Sequence, residues 1–181
     1  HWDADVIVWP ENAATAFYHQ IDEGYLAPLG REARSQNTDI LLGLPVLDEN
    51  GEDYYKSMVS LTDTPVFYHK RHLVPFGDYV PFETLRGLIK FFDLPMSAFV
   101  PGSADQPQML LAGQPVGVSI CYEDAFSSEV RDTVPASTLL INATNNAWYG
   151  DSFAPHQHLQ ISRSRGLETG RPILRVTTNG I

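Results

Sequence analysis

The stretch PVGVSICYEDAF, residues 115–126, runs from an apolar segment straight into a thiol and two carboxylates. Val116, Val118 and Ile120 are β-branched, and a short apolar run of this kind reads as a buried strand. The run ends on Cys121, the only cysteine in 181 residues. A lone cysteine closing an apolar strand is more often a small core hydrophobe than a nucleophile. The distinction turns on whether the rest of the chain supplies a base and a positive charge.

Working outward, similar apolar runs recur between turn and helix signals. DVIVW (5–9) precedes helical stretches in AATAFYHQI and PLGREARSQ. DILLGLPV (39–46), YYKSMVSLT (54–62) and PVFYHK (65–70) follow, with turn residues Glu49-Asn50-Gly51 and Thr62-Asp63-Thr64 between them. RHLVPFGDYVP (71–81), with two prolines and a glycine, reads as a loop, and FETLRGLIKFF (82–92) as a helix. Strands are predicted at PQMLLA, PVGVSIC and STLLINAT, a short helix at FSSEVRDTV, and a polar helix over PHQHLQISRSRGLETG that Gly170 closes. Pro172 opens a last strand, ILRVTT. Strands alternating with helices, plus adjacent hairpin strands, make this an α/β chain with mixed sheet.

Composition narrows the class. Residues 1–181 are long enough for a single domain with a real core. A net charge of −10, from 12 basic and 22 acidic residues, argues against nucleic acid as a partner, which needs a basic footprint. One cysteine forms no internal disulfide and says nothing of compartment. No apolar run approaches the roughly 18 residues of a membrane span. The chain opens inside a strand-like segment and ends as abruptly at RVTTNGI, so the expectation is an excised piece, truncated at both ends.

Glu11, Lys70 and Cys121 all fall at or just after the end of a predicted strand, where α/β folds gather functional residues. Each has a plain explanation: Glu11 at a helix start, Lys70 at a solvated strand end, Cys121 in a core. Together they suit acyl chemistry. A thiol of pKa about 8.5 needs a base, which a carboxylate supplies, and the oxyanion formed by attack on a carbonyl needs a fixed positive charge. Glu11 and Cys121 are separated by 110 positions, with Lys70 between, so only folding unites them.

VWPENA, YHKRHLVPFGDYVP and GVSICYEDAF resemble, in this order, the Glu, Lys and Cys signatures of the carbon–nitrogen hydrolase (nitrilase) superfamily. Within it, HLVPFGDYVP and NNAWYGDSFAPHQHLQISRSRGLETGRPILRVTTNGI are most similar to the bacterial apolipoprotein N-acyltransferases, and the likeness runs from Ile7 to Ile181. The resemblance implies a nitrilase-like αββα sandwich of two mixed sheets with outer helices. It implies Glu11 as general base, Lys70 as oxyanion stabiliser and Cys121 as nucleophile, with Asp78, Tyr122 and Glu123 in support. It also implies no cofactor, a phospholipid acyl donor, a diacylglyceryl lipoprotein acceptor, and an inner-membrane enzyme whose catalytic domain faces the periplasm, held by membrane segments outside this chain. Competing readings are a soluble amidase or nitrilase and a catalytically silent binding module.

Two positions depart from the family pattern. Asp78 stands where a glutamate is usual, shortening the arm by one methylene, and Asn146 stands where an aspartate is common, so no role is assigned to it. His156 and His158 are two apart on a helix and face different ways, and no zinc motif supports a metal. The sequon Asn142-Ala143-Thr144 lies in a predicted buried strand and is read as chance. Residues 73–81 and 91–101 collect aromatic and apolar side chains around prolines, either ordinary packing or a greasy entrance. Strands missing at the ends would leave sheet edges unpaired and the site wet. Turnover by the 181-residue chain alone is therefore expected to be weak or absent, and full turnover without any membrane segment would contradict this.

Overall fold

Strands run in two separate four-stranded sheets in the computed structural model, which describes residues 2–75, 77–79 and 99–180. In the first sheet β1 (Val6–Val8) lies parallel to β2 (Asp39–Leu47), and β3 (Tyr54–Ser60) and β4 (Val66–His69) follow as antiparallel neighbours. In the second, β5 (Met109–Leu111) pairs antiparallel with β6 (Gln114–Ile120), which runs parallel to β7 (Leu139–Thr144) and then β8 (Ile173–Thr177). Parallel neighbours need long crossovers. One carries α1 (Tyr18–Ile21), a π-helical turn at Asp22–Leu26 and α2 (Ala27–Ser35); the others carry α3 (Ser127–Thr133) and α4 (Ala154–Thr169).

Side-chain alternation explains why the sheets stack. On β2, Leu41 turns toward the second sheet, into a cluster with Met58, Val116, Val118, Ile120 and Ile141. Its neighbours Ile40, Leu42 and Leu44 turn the other way, onto Leu26 and Ala33 of the first helical layer. Both faces of β2 are thus buried, which is why it reads as a nearly unbroken apolar run. Burying each such leucine contributes about 1.5–3 kcal/mol. Against the second sheet, α3 packs on β6 and α4 packs on β8. The αββα sandwich expected from the family signatures is the architecture observed.

Turn chemistry sets the hairpins. Between β2 and β3 the Asp48 carboxylate accepts the amides of Glu52 (2.9 Å) and Asp53 (3.2 Å), and Gly51 takes a positive φ of 74°. Between β3 and β4, Thr62 Oγ1 donates to the Thr64 carbonyl at 2.7 Å. One predicted helix begins later than AATAFYHQI implies. The Gln20 side chain accepts the Phe17 amide at 3.1 Å, so helical structure starts at Tyr18 and continues through the π-turn into α2. The helix predicted at 82–92, and most of the aromatic segment 91–101, lie outside the described residues.

One close approach fixes where Glu11 stands. Gly43 of β2 lies beneath the segment that leaves β1, and a Cβ there would meet the Pro10 carbonyl oxygen at 2.5 Å and Glu11 Cα at 2.8 Å. Both contacts are backbone and cannot swing aside. Gly43→Ala is expected to lower stability by about 1–3 kcal/mol, as overpacking typically does, and to displace Glu11. Urea denaturation checks the first effect, and an unchanged midpoint would show that the backbone can give way.

Candidate active site

The C-terminal ends of β1, β4, β6 and β7 deliver Glu11, Lys70, Cys121 and Asn145 to one region between the sheets. Glu11, Lys70 and Cys121 are all buried, at 4%, 1% and 7% exposure. Glu11 Oε1 lies 3.3 Å from Lys70 Nζ, and its Oε2 accepts the Asn145 amide at 3.0 Å. The Cys121 thiol sits within the fields of both Glu11 and Lys70, with the Thr144 side chain and the Tyr122 amide in hydrogen-bond contact with it. Residues far apart in sequence are therefore gathered in one place.

Asp78 reaches despite its shorter arm. Its Oδ2 lies 2.8 Å from Lys70 Nζ and accepts the Val74 amide at 2.8 Å. Its Oδ1 lies 2.5 Å from a second ammonium, Lys56, whose Nζ is also 3.5 Å from Glu11 Oε1 and 5.2 Å from the centre of the Phe99 ring. Sequence reasoning passed over Lys56, because a lysine within YYKSMVSLT looks like the solvated face of a strand. The available signal was parity: Lys56 shares a face of β3 with Met58, and Met58 points into the inter-sheet core.

The charges in this cluster determine one another. Burial alone would strip Lys70 of its charge, but Glu11, Cys121 and Asp78 more than offset it and hold the lysine well above its ordinary range. Burial would likewise push Asp78 up, yet the Lys70 and Lys56 ammoniums hold its carboxyl below the usual value. For Cys121, burial dominates and the Glu11 charge adds to it; Lys70 opposes them, and the thiol remains raised. Near neutral pH the sulfur is thus protonated, and the adjacent carboxylate is placed to take the proton.

Cys121 begins a 3₁₀ turn, Cys121–Ala125, in a left-handed conformation with φ of 54°. For a residue with a Cβ this costs about 1–2 kcal/mol and needs outside support. Glu123, 2% exposed, provides much of it. Its Oε2 accepts the Ile120 amide at 2.6 Å and the Tyr68 hydroxyl at 3.0 Å. Its Oε1 accepts the amides of Arg71 (2.6 Å) and His72 (3.0 Å), just after Lys70. Burial pushes its carboxyl up, and these donors and Lys70 offset only part of that. Glu123 thus ties the lysine's strand end to the cysteine's turn. Tyr122 packs edge-on against Phe126 and His72, with ring centres 5.1 and 5.7 Å away.

A second brace comes from beneath the turn. The Cys121 carbonyl accepts Asn142 Nδ2 at 2.9 Å and lies 3.2 Å from His158 Nε2. That nitrogen is also 3.1 Å from Asp124 Oδ1, so both its neighbours are acceptors and it carries hydrogen. Asp124 in turn accepts the Ser162 hydroxyl and lies 3.5 Å from Arg175 Nη1. His158 therefore serves a backbone carbonyl, and Asn142 of the sequon is a buried structural amide. Asn146, left without a role in the sequence reading, lies buried with its amide oxygen 3.2 Å from His158 Nδ1. Among the described residues no group of three His, Cys, Asp or Glu side chains is arranged to hold a metal ion. Among the described residues, Trp148 and Phe153, at 80% and 75% exposure, stand near in sequence to Tyr149, whose phenol is raised by burial and acted on by the Cys121, Lys70, Glu11 and Asp78 charges.

A family profile described as Carbon-nitrogen hydrolase matches residues 1–181. An apolipoprotein N-acyltransferase of Methylococcus capsulatus is 46% identical over 182 residues, covering 100% of this chain and 36% of that protein. The protein of the same name from Vibrio cholerae is 41% identical, covering 100% of this chain and 38% of its own length. The chain thus spans little more than a third of the curated relatives it matches. In shape it resembles a carbon-nitrogen hydrolase of Helicobacter pylori (TM-score 0.72, 14% identity, 98% of this chain and 62% of that one). A mutant form of a nitrilase-superfamily amidase of Nesterenkonia, with alanine in place of a cysteine, is also similar (TM-score 0.66, 20% identity, 97% and 63%).

The bracing role of Glu123 is open to a direct check. In Glu123→Gln one oxygen becomes an amide nitrogen facing two donors. Leaving a buried donor unsatisfied costs roughly 1–3 kcal/mol, so a loss of about 2–4 kcal/mol is expected in urea denaturation. Stability equal to the parent would mean that Glu123 does not carry the turn.

Proposed function

The chain belongs to the carbon–nitrogen hydrolase family, and on that footing we propose that residues 1–181 form the catalytic domain of an apolipoprotein N-acyltransferase. The observation that carries the reading is the buried Glu11–Lys70 ion pair beside the single thiol. The names of relatives matching the whole chain at 41–46% identity point the same way.

Cys121 is the nucleophile. As its sulfur attacks the ester carbonyl of a phospholipid, Glu11 takes the thiol proton and the carbonyl π electrons move onto oxygen. Lys70 stabilises that oxyanion, a service whose loss typically costs about 3–4 kcal/mol of barrier. Collapse breaks the C–O ester bond; the leaving alkoxide recovers the proton from Glu11 and departs as a lysophospholipid, leaving a thioester. The α-amine of a diacylglyceryl-cysteine then attacks the same carbon and gives its proton to Glu11. The C–S bond breaks, Cys121 is reprotonated, and an amide has formed. A thioester suits the relay because amines attack it readily while the site excludes water.

The left-handed turn favours this reading over a structural thiol. A core cysteine has no need of a strained backbone held by two sets of hydrogen bonds. Asp78 and Glu123 hold Lys70 and the turn, and Tyr122 lines the approach. The partners proposed are a phospholipid donor and a lipoprotein acceptor at the periplasmic face of a bacterial inner membrane. Among the described residues no helix is long and apolar enough to cross a membrane.

Intact-mass measurement on the longer membrane enzyme that carries this domain, after incubation with phosphatidylethanolamine, tests the reading. A fatty-acyl adduct is expected that maps to Cys121, is absent from Cys121→Ala, and is lost on adding a diacylglyceryl-cysteine peptide. Glu11→Gln should slow adduct formation by about 10²–10⁴-fold, the usual contribution of a general base. Ammonia release from small amides with no acyl adduct would overturn the assignment in favour of a hydrolase.

A further inference from the structure

The ion cluster holds two charges beyond the three-residue chemistry, Asp78 and Lys56. Lys56 is 8% exposed, projects from β3 into the space between the sheets, and touches both site carboxylates. Its nearest partner is Asp78 at 2.5 Å, closer than the 2.8 Å between Asp78 and Lys70. The groups around the cluster come from every element that meets there: Glu11 after β1, Lys56 on β3, Lys70 after β4, Asp78 in the following loop and Cys121 after β6. The Asn145 amide follows β7, and the phenols of Tyr122 and Tyr149 lie at the margin.

Counting charge shows what Lys56 changes. Glu11 and Asp78 contribute two negative charges, and Lys56 and Lys70 two positive ones, so the buried cluster is neutral while the thiol is protonated. Moving the thiol proton to Glu11 exchanges one anion for another and leaves the cluster neutral. Without Lys56 a single ammonium would serve two buried carboxylates, and an unbalanced buried charge is costly enough to be removed by taking up a proton. Lys70 would also be drawn fully into neutralising its neighbours. Among the described residues, two of the three N–H donors of Lys70 meet Glu11 and Asp78, and with Lys56 sharing Asp78 the third can serve the oxygen of a reacting carbonyl.

We propose that Lys56 is a positioning residue of the acyl-transfer site: it carries the charge of Asp78, so that Lys70 is released to the reacting oxygen and Glu11 works as a base in a charge-balanced cluster. This deepens the acyltransferase reading and rests on it. Arginine and lysine differ in shape, but either supplies the charge. Methionine keeps Lys56's length and apolar stem and removes only the charge.

The test uses the longer membrane enzyme that carries this domain and measures acylation of Cys121 by intact mass as a function of pH, with p-nitrophenyl acetate as a small activated donor and phosphatidylethanolamine as the lipid donor. Losing a positive charge favours the protonated forms of the cluster. In Lys56→Met the acid limb of the profile is therefore expected to move to higher pH, by about one unit for an opposite charge removed at this range. Lys56→Arg should keep the limb near its parent position. The double variant Lys56→Met with Asp78→Asn removes an ammonium and a carboxylate together, and should bring the limb back toward the parent even if its rate is lower. A purely structural lysine would lower the rate or the melting temperature without this pattern. Superimposable limbs for the parent and Lys56→Met, or a double variant as displaced as the single one, would overturn the proposal. If Lys56→Met does not fold, Lys56→Gln, which also removes the charge, takes its place and is read by the same criterion. Acylation by p-nitrophenyl acetate but never by phospholipid sinks the acyltransferase reading while Lys56 stays measurable; a Cys121 inert to both donors overturns both.

Discussion

Two carboxylates and two ammoniums share one water-poor space between the sheets, and each is tolerable there only because the others are present. Transfer of an unpaired ion out of water costs several kcal/mol even after relaxation. Pairing Glu11 with Lys70, and Asp78 with Lys56 and Lys70, offsets that penalty while keeping Glu11 and Lys70 within reach of the thiol's field. The same pairing makes the arrangement brittle. Loss of one member leaves an uncompensated neighbour, so the cluster behaves as a unit whose members do not contribute additively.

Around this cluster the fold supplies rigidity where strain has to be held. Cys121 leaves β6 in a left-handed conformation, with its sulfur within the fields of Glu11 and Lys70 and its carbonyl held by other partners. That carbonyl is met by Asn142 from β7 and His158 from α4, and the turn itself is laced through Glu123 to the chain after Lys70. Each brace comes from a different element. Moving the nucleophile would therefore mean disturbing both sheets and the outer helix together, and this is how a strained residue persists in a marginally stable protein.

Much of this was legible from residue order. The strand runs at 39–46, 54–62, 115–121 and 137–144 all appear close to where their β-branched and apolar content put them, because buried strands leave an unmistakable local signal. Glu11, Lys70 and Cys121 could be picked out because each follows such a run. Lys56 was not legible in that way. A lysine in a strand is ordinarily a solvated side chain, and only the opposing carboxylates make its burial possible. His158 was set aside for a related reason, since a histidine on a polar helix shows its purpose only once the carbonyl it serves is in place, whereas Asn146 was left without a role because it departs from the family pattern.

By itself, then, the order of residues determined an α/β chain with mixed sheet, since hydrophobic periodicity is a property of neighbours along the chain, while the family signatures implied the two-sheet sandwich and marked out the thiol, carboxylate and ammonium. The tertiary structure alone decided that Asp78 reaches both lysines, that Lys56 joins the cluster, and that Glu123 and His158 hold the nucleophile's turn. Those are contacts between residues many positions apart, set by distances of a few ångströms. Electrostatic and hydrogen-bond energies depend on such distances, and no spacing along the sequence encodes them.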